Sequence, residues 1–279
     1  MKAFGRFLRR PSVLVGLMLL TIVVAIALLA PMLYPRDPWQ MVGRPFLPPF
    51  RDARWPLGTD MLGRDIAAGL AHGARVSLIV GLASTACALV LGIGFGAIAG
   101  YYGGTADDAL MRVTEFFQTI PTFIFALVVV AILRPSLTSI ILALGIVSWP
   151  PVARLVRAEF ASLRARDFVQ AARALGERDL AIAITQILPN ALSPIVVMGS
   201  LMVANAILAE AAISFLGLGD PNMMSWGYMI GASRSFMRQA WWMSVFPGLV
   251  IFLVVLTINL VGEGLNDALN PRRRRQARA

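Results

Sequence analysis

The chain has 279 residues, 58% hydrophobic and only 14% charged, with a mean hydropathy of +0.73. Soluble domains carry about 25% charged residues, so this composition excludes a soluble globular protein and indicates a polytopic membrane protein. The formal net charge of +10 raises the question of nucleic acid, and a single cysteine, Cys87, excludes an intrachain disulfide. Cys87 reads as a small packing residue inside a span. With His72 as the lone histidine, no metal site is expected.

Six stretches reach the roughly 20 apolar residues that a spanning helix needs. They lie near 13–33, 76–99, 114–133, 137–155, 192–216 and 243–261. The first follows Lys2, Arg6, Arg9 and Arg10, as a signal peptide would. It exceeds the about 7–15 residues of a signal core and runs into Pro31 and Pro35 without a small-x-small site, so a retained anchor is expected. Residues 35–75 form the largest external piece, stiffened by prolines at 35, 38, 45, 48, 49 and 56. It ends in Gly58-Thr59-Asp60-Met61-Leu62-Gly63-Arg64-Asp65 and a short interfacial helix over 66–74. Asp60, Arg64 and Asp65 suit either a charged clasp that receives an external protein or a plain turn and helix cap.

In the second span Gly92, Gly96 and Gly100 recur every four residues, which lines one helix face and lets two backbones approach closely. These glycines are not a phosphate-binding loop, because Lys2 is the only lysine and no Gly-Lys-Ser/Thr ending exists. Asp107 and Asp108 suit the N-terminus of the third span. Pro121 falls inside that span and Pro150 and Pro151 inside the fourth. Such prolines kink helices, either as flexible points beside a cavity or simply to shape packing.

Between the fourth and fifth spans lies a polar insert, residues 159–190. Lipid cannot hold Arg164, Arg166, Asp167, Arg173, Glu177, Arg178 and Asp179 together, at about 2.5–3.5 kcal/mol or more each. The insert belongs in water. Phe160, Leu163, Phe168, Ala171, Ala172 and Leu175 recur at three- and four-residue steps, predicting one helix over 160–175. Gly176 then allows a sharp turn, and a second short helix ends at Pro189. In the fifth span Glu210 is the one acidic residue well inside a segment. It suits a translocation path, or a hydrogen bond between helices.

An even number of spans puts both termini and the insert on one side, which holds sixteen Lys and Arg residues against nine on the other. The positive-inside rule makes that side the cytoplasm. The tail Pro271-Arg272-Arg273-Arg274-Arg275 is then a topology and lipid-headgroup anchor, and no nucleic acid is expected. No nucleophile, base and metal-ligand constellation points to an enzyme.

The order Gln170-Ala171-Ala172, Gly176, Leu188-Pro189 resembles the cytoplasmic signature loop of permease subunits of bacterial ATP-binding-cassette (ABC) importers. Gln170 stands where that family has Glu, and Gln186 where it has Ile. Gly58-Thr59-Asp60 with Gly63-Arg64-Asp65, Ser214-Phe215-Leu216-Gly217-Leu218-Gly219, Ser225-Trp226-Gly227 and Phe246-Pro247-Gly248 resemble its dipeptide, oligopeptide and nickel branch. The resemblance implies an all-α, six-helix type I importer transmembrane-domain fold in the bacterial inner membrane. It divides the chain into an anchor and external segment, 1–75, and a permease domain, 76–279, with a coupling loop at 158–190. The implied partners are a homologous second permease, as a heterodimer, two ATPase subunits that use ATP, and an external substrate-binding protein. This chain itself would bind no cofactor. Gln170, Ala171, Ala172, Gly176, Glu177, Leu188 and Pro189 would form the ATPase-coupling loop. The implied cargo is di- or oligopeptides, with nickel, glutathione-like and opine-like solutes carried by similar permeases. A secondary transporter or channel without ATPases is the alternative, to be marked by inverted repeats or intramembrane ion sites. A structural membrane scaffold is a third reading.

Overall fold

A computed structural model describes residues 11–269. The basic residues at 2–10 and 272–278, on which much of the orientation argument rests, lie outside the described residues. Among the described residues the architecture is all-α, with β-type pairing confined to two isolated bridges, Met41–Arg64 and Thr59–Asp65.

In chain order, α1 spans Pro11–Leu33 and α2 Ile66–Tyr102. Next come α3, Gly104–Thr119, and α4, Thr122–Leu133. Helix α5 is Leu137–Arg164, α6 Asp167–Ala174 and α7 Asp179–Leu218. A short external helix α8, Trp226–Ser233, precedes α9, Trp242–Leu269. Helices α1, α2, α5, α7 and α9 are each long and apolar enough to cross a bilayer, and α3 with α4 completes the sixth crossing as a pair bent by 84°. The kink expected from Pro121 within 114–133 is thus a full break between two helices. Ile120 is extended (φ −90°, ψ 128°), as a residue before proline prefers, and Pro121 supplies no N–H to continue the helix.

Helix α2 also differs from expectation. Residues 66–74 are not a separate interfacial helix but the first turns of a 37-residue rod, about 55 Å long at 1.5 Å per residue. A hydrocarbon core of about 30 Å leaves both ends in water.

The glycine stripe packs as its spacing predicts. A Cβ on Gly92 would fall onto Val152, one on Gly96 onto the Ala153 carbonyl and Val156, and one on Gly100 onto the Arg157 carbonyl and Phe160. Helices α2 and α5 therefore lie backbone to backbone over about two turns. Between Gly92 and Gly96, Gly94 faces open space. Cys87 packs onto Gly145 of α5 in the same interface. Outward-facing apolar residues such as Leu28, Val90 and Ile132 are exposed and face lipid, where they cost nothing. At the insert end of the bundle, Tyr101, Val156, Phe160, Val169, Ala172, Ile182 and Ile187 form one buried cluster joining α2, α5, α6 and α7.

Candidate functional site

The insert folds as two helical arms around a short exposed helix. Arm α5 ends at Arg164, because Arg166 is extended (φ −79°, ψ 150°) after the capping residue Ala165. Helix α6 then restarts at Asp167, so the single helix expected over 160–175 is split. The restart resets the face. Phe160 is buried at the end of α5, whereas Val169 and Ala172 are the buried residues of α6. Phe168, Ala171 and Leu175, expected on one helix face with Phe160 and Ala172, are exposed instead, Leu175 at 82%. Asp167 in the first turn and Arg173 in the last complement the helix dipole.

The end of α6 is a double-bonded helix stop. Gly176 N–H donates to the Arg173 carbonyl at 3.0 Å and Glu177 N–H to the Ala172 carbonyl at 3.1 Å. That pattern needs a left-handed residue between them, and Gly176 has φ +80°. A Cβ placed on Gly176 meets nothing within 4 Å. The turn requires glycine for its backbone, while the space around it is open. Gln170 donates from Nε2 to the Arg164 carbonyl at 3.2 Å, closing the α5–α6 corner.

Pro189 does not stop a helix. Residues Ile182–Ile187 form a widened π turn in which Leu188 N–H reaches the Ala183 carbonyl, five residues back. The wider turn leaves room for the Pro189 ring, so α7 continues through it, and helical geometry is lost only near the far end, at Gly217 (φ 89°, ψ 11°). The expected start of the fifth span at 192 is thus the interior of a 40-residue helix whose first turns belong to the insert. Leu188 is half-buried and Pro189 exposed.

Deeper in the bundle, α3, α4, α5 and α7 border an open cavity of about 580 Å³. Its polar lining is Gln118, Thr122, Ser148 and Asn205, set among apolar side chains such as Phe123 and Met202, with no charged side chain. Both Pro150 and Pro151 line it as well. Sequence reasoning missed Gln118, Ser148 and Asn205; lone amides in otherwise apolar segments were the available signal. Glu210 does not line this cavity. Its side chain is 2% exposed and turned toward α8, where Ser214 Oγ and Ser225 Oγ donate to Oε1 at 2.8 and 2.7 Å. Oε2 has no hydrogen-bond partner, and the carboxylate lies directly against Gly227. Ser225 Oγ also accepts from Tyr228 N–H, so the carboxyl group anchors the cap of α8.

On the external side, Asp60 Oδ1 accepts from the N–H groups of Leu62 and Arg64, both at 2.8 Å. Arg64 stands 3.8 Å from Asp60 and 4.7 Å above the Trp39 ring. Asp65 caps α2 by accepting from Ala67 N–H at 2.9 Å. Burial pushes its carboxyl above the ordinary carboxylate range, while the Ala67 and Ala68 amides pull it back. The three residues thus sit together, Asp60 and Arg64 as a loose pair and Asp65 as a cap. Buried Thr59 ties the segment down, its hydroxyl donating to the Arg44 carbonyl at 2.6 Å and its own carbonyl accepting from Trp242 Nε1 at 3.1 Å.

A six-crossing bundle with a helical elbow projecting from one end is the architecture of an ABC importer transmembrane domain. An inward-facing MetNI methionine ABC transporter superposes with a TM-score of 0.60 at 18% identity, over 72% of this chain and 96% of that one. An amino acid ABC transporter gives 0.52 at 18% identity, over 68% and 89%. Residues 92–275 match the family "Binding-protein-dependent transport system inner membrane component", and residues 2–49 match "N-terminal TM domain of oligopeptide transport permease C". The chain belongs to the binding-protein-dependent transport system inner membrane components and is a multi-pass permease subunit. It is 41% identical to the di/tripeptide transport system permease protein DppC of Pseudomonas aeruginosa, over 95% of this chain and 90% of that one. It is 40% identical to the dipeptide transport system permease protein DppC of Alkalihalophilus pseudofirmus, over 97% and 89%. The glutathione transport system permease protein GsiD of Pectobacterium atrosepticum is 37% identical, over 96% and 89%.

Proposed function

We propose that this chain is one of two homologous permeases of an ATP-driven importer that carries di- or oligopeptides across the bacterial inner membrane. The relatives named for di- and tripeptides support the cargo class. The cavity supports it too: a lining with amides and hydroxyls but no charge passes varied peptides without holding any one tightly. Selectivity then rests with a separate external binding protein, received near Asp60, Arg64 and Asp65.

The observation that carries the coupling role is the exposed elbow at 158–190. Leu175 and Gly176 project from the bundle with nothing of this chain around them, while Val169 and Ala172 fasten the other side of α6 to the bundle. Ala171, Gly176 and Glu177 would sit in the groove of an ATPase subunit, with Gln170, Leu188 and Pro189 shaping the turn from behind. Rim charges such as Arg166 and Glu177 each add about 0–1 kcal/mol. ATP hydrolysis would take place on those two subunits, and their closure would move α6 and tilt α5 and α7, so that access to the cavity alternates between sides. This arrangement sets both termini in the cytoplasm. Glu210 acts in it as the staple of α8, not as a substrate ligand.

Affinity purification in mild detergent tests this reading. Two ATPase subunits and a second permease should accompany the tagged chain. A lone oligomer that still transports in vesicles would establish the ATPase-independent alternative.

A further inference from the structure

We propose that Tyr101 is the positioning residue that makes the exposed elbow and the cytoplasmic ends of α2, α5 and α7 move as one body. The inference rests on the coupling reading of the elbow and asks how a push on α6 reaches the spans.

The covalent route alone is slack. Helix α6 joins α5 through Ala165 and the extended Arg166, and it joins α7 through the turn at Gly176–Arg178. Neither connection touches α2, the 37-residue rod that reaches the external cap at Asp65. Tyr101 closes that gap. It sits in the last turn of α2, 4% exposed, and makes three directed contacts to three other elements. Its hydroxyl donates to Asp179 Oδ1 at 2.6 Å, at the first residue of α7. Its ring lies 5.2 Å beneath the Arg173 guanidinium of α6. Its carbonyl accepts from Arg164 Nη1 at 2.7 Å, at the last residue of α5.

The surroundings make these contacts directional. Tyr101 shares one buried cluster with Phe160, Val169, Ala172 and Ile182, and its hydroxyl is directed at Asp179. Just above, Gly100 holds α2 against α5 at backbone distance. Asp179 begins the same continuous helix that carries Met202 and Asn205 into the cavity. A displacement of the elbow is therefore delivered to the cavity wall through α7 and to the outer cap through α2. The hydroxyl–carboxylate bond is the one of the three contacts that a change at Tyr101 itself can remove while leaving the ring and the carbonyl in place.

The test uses the full complex with its ATPases and binding protein in proteoliposomes. It reads ATP hydrolysed per peptide imported, thermal unfolding, and the ATPase that co-purifies. Tyr101→Phe keeps the ring and deletes the hydroxyl; Asp179→Leu deletes the acceptor; Asp179→Asn keeps an acceptor oxygen; Gly176→Trp serves as the reference for the elbow. Tyr101→Phe and Asp179→Leu should each raise the ATP consumed per peptide by at least about fivefold, the lower end of ordinary coupling between sites. The double variant should be no worse than either single one, and Asp179→Asn should stay near the wild type. Unfolding temperature and co-purified ATPase should hold. If Tyr101→Phe lowers stability or assembly with an unchanged ratio, the residue is merely structural and the proposal is overturned. If Gly176→Trp uncouples while Tyr101→Phe and Asp179→Leu do not, the elbow couples by another route. If Gly176→Trp itself leaves the ratio unchanged, the coupling reading and this proposal fall together.

Discussion

Replacing Gly176 separates what the turn needs for itself from what it offers to a partner. At φ +80° any side chain carries backbone strain of about 1–2 kcal/mol, except that asparagine tolerates this region better than most residues. No steric cost arises within the chain, because a Cβ there meets nothing within 4 Å. Gly176→Asn and Gly176→Ala therefore measure strain, and Gly176→Trp adds bulk that only an external surface can feel. Forcing extra volume into a packed contact costs about 1–3 kcal/mol, which corresponds to roughly a 5- to 150-fold weaker docking. The assay is peptide uptake and ATP turnover in proteoliposomes, with membrane levels of the chain followed by immunoblot. Asparagine and alanine should retain most uptake, and tryptophan should lose it at unchanged membrane levels. Normal uptake by Gly176→Trp would refute the docking argument, and equal failure of alanine and tryptophan would assign the effect to strain.

Three further outcomes follow from the packing and the cavity. Gly96→Leu drives a side chain into the Ala153 carbonyl and Val156, so α2 must part from α5, and the chain should be degraded or unfold at markedly lower temperature in detergent. Glu210→Gln keeps an acceptor for Ser214 and Ser225 and should fold and transport, whereas Glu210→Ala takes the acceptor away from two buried hydroxyl donors and should cost about 1–3 kcal/mol in thermal unfolding measurements. Asn205→Arg places a charge in a cavity without one, and it should depress peptide uptake while leaving co-purified ATPase unchanged.

Hydropathy and spacing revealed much of this architecture. Six apolar stretches correspond to the crossings, the Gly92, Gly96 and Gly100 stripe meets α5 as its period implied, and Gly176 occupies the left-handed turn its sequence context indicated. The failures share a cause. Proline was read by its local rule, yet Pro189 is accommodated by the π turn before it, whereas Pro121 breaks the third crossing outright. Periodicity across 160–175 was continuous, so the break at the extended Arg166 left no mark in it, and Val169 was missed. Gly176, Ala171 and Ala172 were legible as a small-residue turn. The partners of Tyr101 were not, because all lie more than sixty positions away along the chain, and the choice between the two roles of Glu210 turned on Ser225 and Gly227 of a separate helix.

Disulfide-independent cross-linking at the elbow tests the central claim most directly. Cys87 is the sole cysteine, so Cys87→Ser gives a clean background for Leu175→Cys on the exposed turn and Val90→Cys on the lipid-facing side of α2. In the active purified complex, a short cysteine-to-lysine reagent should join Leu175→Cys to an ATPase subunit and leave Val90→Cys unreacted with it. The yield should change when ATP is trapped. Transport-competent complexes in which Leu175→Cys never reaches an ATPase would contradict the account.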